Sequence, residues 1–154
     1  MPASSPSASR GTGWVVAQFA LIALIAASWL SPPHVHSIWL HRIGVALALA
    51  GLAIALWASR ELGRSLTPFP RPRAGARLVT TGPFRLVRHP IYSGGLLVFT
   101  GVSLRFSWAA LVLTGVLAVL WAFKTQVEER HLRARFPEYD EYGRRTSRLV
   151  PFVY

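Results

Sequence analysis

Four apolar runs, separated by joints that hold nearly all of the charge, constrain this chain more than any other feature. Trp14 to Leu30 carries no charge, and as a helix it would cover about 26 Å, close to the roughly 30 Å hydrocarbon core of a bilayer. Ile38 to Ser59 is also long enough to cross, with Arg42 near one end and Trp39 and Trp57 placed as interfacial anchors. From Ile91 the chain is apolar again to Phe123, interrupted at Arg105-Phe106-Ser107, which reads as two short helices in a hairpin. The first of these, Ile91 to Leu104, would cover only about 21 Å, so it tilts, starts before Pro90 or rests against protein. The pattern predicts an all-α integral membrane protein with about four transmembrane helices, the last two forming a hairpin, and a cytoplasmic C-terminal helical extension.

A signal peptide is the competing reading of the first run. Its apolar part is usually shorter, and here Ser31-Pro32-Pro33 and a second span follow in place of a small-residue cleavage site, which favours a retained helix. The organisation expected is a disordered N-terminus over residues 1–13, whose Ser, Ala, Pro and Gly cannot bury a core, then two transmembrane helices within 14–59. A basic cytoplasmic loop with a binding motif fills 60–90, stiffened by Pro68, Pro70 and Pro72. The hairpin occupies 91–123, and a cytoplasmic C-terminal helix and tail occupy 124–154.

The balance of 17 basic to six acidic residues gives a net charge of +11. Such a charge could serve nucleic acid, but the basic residues lie between or beyond the apolar runs, where anionic headgroups or an anionic substrate explain them better. Nucleic acid is therefore not an expected partner. With no cysteine, disulfides, thiolate catalysis and Cys-ligated metals are excluded. His34, His36 and His41 sit in an interhelical loop, and neither His89 nor His131 has a second histidine at ligand spacing, so no metal is expected. Placing Arg10, the loop from Arg60 to Arg88 and everything from Lys124 on one side leaves Arg42 and Arg105 on the other. With four crossings, that puts both termini in the cytoplasm. The preference for arginine over the single lysine hints at a GC-rich bacterial genome, hence a bacterial inner membrane.

Leu78 to Gly95 is overloaded for a membrane boundary. It reads Leu-Val-Thr-Thr-Gly-Pro-Phe-Arg-Leu-Val-Arg-His-Pro-Ile-Tyr-Ser-Gly-Gly. A turn is expected at Gly82-Pro83, and a helix opening at Pro90 with His89 at its N-cap, because proline disfavours α geometry in the preceding residue and suits a first turn. The field of that helix end disfavours an imidazolium, so a neutral His89 is expected. Gly94-Gly95 would allow a ligand or a neighbouring helix to come close. The plainer alternative is that these arginines only set topology and that His89 is structural.

The last apolar run continues as Lys124-Thr-Gln-Val-Glu128-Glu129, past the membrane boundary. Glu129 and Arg133 form an i,i+4 pair read as solvent-side helix support. Glu128 shares a face with Lys124 and Leu132, and on a regular helix only one of the two glutamates would face the loop carrying His89 and Tyr92. An acidic residue at that depth is a functional candidate by default, a solvated helix end being the alternative.

Taken together, Leu78-Val79-Thr-Thr-Gly82-Pro83-Phe84, Arg88-His89-Pro90-x-Tyr92, and Glu128-Glu129 with Leu132, Phe136, Tyr139, Tyr142 and Arg148-Leu-Val-Pro151 resemble the isoprenylcysteine carboxyl methyltransferases and the related phospholipid methyltransferases. The resemblance covers about the last ninety residues. It implies S-adenosyl-L-methionine as cofactor, with Leu78, Val79, Phe84, His89, Pro90 and Tyr92 lining its pocket and Glu128 meeting its ammonium. Lys124 and Arg88 become substrate candidates. Phe84 stands where tyrosine is common in that family. Lys124 stands where an arginine can contact substrate, and lysine lacks the bidentate grip on a carboxylate.

The acceptor implied is lipophilic or membrane-associated, whether carboxylate, amine or thiol. A carboxylate or thiolate would need no general base, whereas an amine would, from His89 or a glutamate. Two other classes stay open at this stage. A membrane NADPH-dependent reductase of the sterol-reductase kind has a similar His-Pro-x-Tyr pattern, and a non-enzymatic lipid-binding membrane protein would need no chemistry at all.

Overall fold

A computed structural model describes residues 11–30 and 37–151. The turn at Pro32-Pro33, His34 and His36, and the tail expected to be disordered up to residue 10 lie outside the described residues. Among the described residues, five α-helices follow in order: α1 (Thr12–Ser28), α2 (Ile38–Leu62), α3 (Pro90–Phe106), α4 (Trp108–Arg135) and α5 (Tyr139–Arg145). Among the described residues there is no β-sheet, only an isolated bridge between Val87 and Ser147.

Local chemistry explains where the helices stop. α1 starts at Thr12, inside the stretch expected to be disordered. α2 runs past Ser59 and Arg60 to Leu62 and ends where Gly63 takes φ 49°, a backbone that a side chain would oppose. Pro90 opens α3 with His89 at the N-cap. Ser107, extended at φ −164° and ψ 131°, breaks the hairpin, and its hydroxyl caps α4 by accepting from the Ala110 amide at 3.4 Å. α4 ends at Arg135 because Pro137 forces Phe136 out of helical geometry, to ψ 105°.

α2 and α3 pack closest. A Cβ on Gly44 would collide with the backbone of Gly101, and one on Gly51 with the backbone of Gly94; Ala48 and Ala55, each one turn further along α2, pack over Gly101 and Gly94. Facing small residues let two backbones touch, which is how helices associate where water offers no driving force. The other layer joins α1, α3 and α4 around Ile25, Ala110, Leu117 and Trp121, with Tyr92, Leu96 and Phe99 packed against them.

α2 with its short extension, and α4, are long and apolar enough to cross a membrane, whereas α1 is shorter. Only 11% of the most apolar window of α2 is buried within the protein. Leu49, Leu52, Leu56 and Trp57 are exposed together on α2, and Val112, Val116, Val119 and Phe123 on α4. Apolar belts of that extent belong in lipid rather than water.

Candidate functional site

The loop from Leu66 to Thr81 contains no helix. A short 3-10 turn, Gly82–Arg85, then closes it. Gly82 adopts φ 57°, which glycine tolerates best. Glu61, at the end of α2, holds this turn by accepting from the Thr81 hydroxyl at 2.8 Å, and it also accepts from the Trp57 indole N–H at 3.3 Å. The turn buries Phe84, whose carbonyl accepts from the Tyr142 hydroxyl at 2.8 Å. Burial pushes the Tyr142 hydroxyl up to about 12 and raises that of Tyr139 further.

The C-terminal segment straps this motif in place. Arg88 N–H donates to the Ser147 carbonyl at 2.8 Å, and His89 N–H to that of Arg148 at 3.1 Å. The Ser93 hydroxyl reaches the Leu149 carbonyl at 2.5 Å. Arg88 Nη1 donates to the carbonyls of Gly143, at 2.8 Å, and Thr146.

Glu129 is wholly buried, which overturns its reading as solvent-side helix support. The i,i+4 pair with Arg133 exists at 3.2 Å, but the same carboxylate also receives Arg88 Nε at 2.9 Å and Arg148 Nε at 3.2 Å. A carboxylate removed from water needs such partners. Glu128 accepts from the Tyr92 hydroxyl at 2.6 Å and lies 3.7 Å from Lys124 Nζ.

Both glutamates face His89. The ring offers Nδ1 to Glu128 at 3.5 Å and Nε2 to Glu129 at 3.4 Å, so the expectation that only one would do so fails. The imidazole lies over the last turns of α4 and spans the gap between adjacent side chains. His89, at the N-cap of α3, thus lies between two carboxylates of α4.

Leu78, Val79, Phe84, Arg88, His89, Pro90, Tyr92, Lys124 and Glu128 all line one cavity of about 520 Å³, within the range of small-molecule sites. The two substrate candidates are already engaged. Arg88 is held by Glu129 and the strap. Lys124, with no exposed surface, donates to Gln18 Oε1 at 2.6 Å and to the Pro68 carbonyl at 2.8 Å. Tyr92 stacks on Trp121 at 4.8 Å between ring centroids, with Lys124 Nζ 5.2 Å from its own ring centre.

Sequence reasoning gave no role to Gln18, Glu61 or Trp121. The signal for Gln18 was present, since it is the one amide in an otherwise apolar run.

This helical membrane architecture, with a motif loop strapped over the end of α4, defines the class, and comparison with known proteins names it. The chain belongs to the phospholipid methyltransferase family, whose model matches residues 39–139. The match reaches back through α2, upstream of the stretch that carried the resemblance. The chain is 32% identical over 151 residues to the cobalt-zinc-cadmium resistance protein CzcN of Cupriavidus metallidurans, covering 92% of this chain and 62% of that protein. It is 32% identical over 120 residues to protein-S-isoprenylcysteine O-methyltransferase B of Arabidopsis thaliana, covering 75% and 61%. It is 30% identical over 141 residues to a probable protein-S-isoprenylcysteine O-methyltransferase of Oryza sativa subsp. japonica, covering 88% and 73%. The chain thus spans about 62% of the length of the metal-resistance relative.

Proposed function

We propose that this protein is an integral membrane S-adenosyl-L-methionine-dependent methyltransferase acting on a lipophilic or membrane-associated acceptor. The observation that carries the proposal is the convergence of Leu78, Val79, Phe84, His89, Pro90, Tyr92 and Glu128 on a single cavity. Six of them come from the Leu78–Tyr92 stretch and Glu128 from α4, so two elements remote in sequence meet at the same space. Family membership supports the same reading, and it does not favour a nicotinamide-dependent reductase or a non-enzymatic lipid-binding protein.

The donor set suits this cofactor. Glu128, at the wall with 13% of its side chain exposed, would receive the ammonium. Leu78, Val79, Phe84 and Pro90 would enclose the apolar and aromatic parts, while His89 and Tyr92 hold Glu128 in one orientation. When bound, the cofactor supplies a methyl carbon on a sulfonium; an acceptor lone pair forms the new bond as the carbon–sulfur bond breaks and its electrons stay on sulfur. The protein's task is alignment and exclusion of water, worth up to about 7–11 kcal/mol when geometry is well held. A carboxylate or thiolate acceptor has no proton to lose, whereas an amine would need a base, from His89 or a glutamate.

In this reading the chain sits in the bacterial inner membrane with four crossings and both termini cytoplasmic, the exposed arginines of the 60–77 loop meeting anionic lipid headgroups. Titration calorimetry of the detergent-solubilised chain with S-adenosylhomocysteine tests the function. Saturable binding is expected, and no binding at millimolar ligand overturns it.

A further inference from the structure

Gln18 lies on α1, outside the segment matched by the family, yet it lines the cavity with only 6% of its surface exposed. Its Oε1 accepts from Lys124 Nζ at 2.6 Å and from the Trp121 indole N–H at 3.4 Å. Both partners are donors with nothing to accept, which fixes the orientation of the amide: the oxygen must face them and the NH2 must face away. Among the described residues, Nε2 has no hydrogen-bond acceptor. The free donor keeps accessible surface, and it borders the cavity that Gln18 lines, a space sized for a ligand.

We infer that Gln18 is a specificity-determining residue for the methyl acceptor, donating from Nε2 to an oxygen of the acceptor's reacting head. This rests on the methyltransferase reading and deepens it. Lys124 cannot do this work itself, because its ammonium is directed at Gln18, at the Pro68 carbonyl and, at 3.7 Å, at Glu128. It acts one step back, holding the amide. The arrangement favours a head that presents lone pairs, such as a carboxylate, and disfavours an ammonium head, which has only hydrogens to offer Nε2. A carboxylate oxygen taking the methyl becomes an ester with no proton to remove.

The test uses the full chain in lipid nanodiscs with S-adenosylmethionine labelled in the methyl group. The acceptors are dodecanoate, butyrate and dodecylamine, which separate the head from the tail. Labelled methyl ester is expected from dodecanoate and no labelled amine from dodecylamine. Transfer to butyrate as well supports the same contact with a soluble acceptor, and transfer to dodecanoate alone supports one held in the membrane. Gln18→Leu is expected to raise the carboxylate KM about tenfold.

The isosteric Gln18→Glu keeps an oxygen for Lys124 and Trp121 and so preserves packing, but replaces the donor with a second acceptor. It is expected to abolish ester formation while S-adenosylhomocysteine affinity stays within about twofold. Transfer to dodecylamine only, transfer to no probe by a chain that binds S-adenosylhomocysteine, or full ester formation by Gln18→Glu overturns the assignment. Failure of the wild-type chain to bind S-adenosylhomocysteine is a different result, which removes the methyltransferase reading beneath it.

Discussion

Arg88 Nε lies 2.9 Å from the wholly buried carboxylate of Glu129, tying the loop before α3 to the last turns of α4. Removing one partner of a buried pair leaves the other charged and desolvated, which typically costs about 3–5 kcal/mol. Glu129→Ala should therefore lower the thermal unfolding temperature in detergent far more than Glu128→Ala. Equal unfolding temperatures for the two variants would show that Glu129 does not hold the strap.

In the proposed reading, Glu128 is the glutamate that meets the cofactor's ammonium. Charge-assisted hydrogen bonds are worth roughly 1.5–3 kcal/mol, and 1.4 kcal/mol is a decade in affinity. Glu128→Gln, which keeps shape and removes charge, should weaken S-adenosylhomocysteine binding about tenfold or more by calorimetry with little loss of stability. Unchanged affinity would remove Glu128 from the site.

Tyr142→Phe deletes the hydrogen bond to the Phe84 carbonyl and should cost about 1 kcal/mol. The pH dependence carries a second signature. A hydroxyl whose folded value is raised from 10.0 to about 12 stabilises the fold fully below pH 10 and loses that contribution as pH climbs towards 12. Unfolding midpoints measured from pH 9 to 12 should fall less steeply in Tyr142→Phe than in the parent chain.

Gly51 and Gly94 meet backbone to backbone. Gly51→Leu must push α2 from α3 and should abolish recovery of folded protein. Gly115, on α4, has nothing within 4 Å of an added Cβ, so Gly115→Ala should be neutral or stabilising by about 0.5–1 kcal/mol. Unfolding followed by fluorescence separates the two cases.

A reporter fused after Tyr154 should be active in the cytoplasm, and one inserted at Ser107, at the hairpin turn, should be active on the opposite side. The same side for both would mean that the α3–α4 hairpin does not cross.

Local features of the sequence were read correctly: the helix opening at Pro90, the hairpin break at Ser107 and the shared face of Lys124 and Glu128 each follow from a few neighbouring residues. The burial of Glu129 was not legible, because helical periodicity records its neighbour Arg133 but not Arg88 or Arg148, which arrive through tertiary docking. Gln18 was missed for the same reason. Its partner Lys124 is 106 residues away, and no local pattern says which side of α1 will meet it. His89 touching both glutamates also escaped, since face assignment on one helix ignores how wide a gap a ring from another element can bridge.

The strap has a consequence for how the protein is made. Arg88 leaves the ribosome 58 residues ahead of Thr146, the carbonyl it must reach. At roughly 5–20 residues per second, translation leaves that arginine waiting several seconds with its partners not yet synthesised. α2 and α3 can pair in that interval, but the binding loop cannot set. Competence therefore comes late in synthesis, and a chain cut short before Gly143 would insert as a bundle and never close its site.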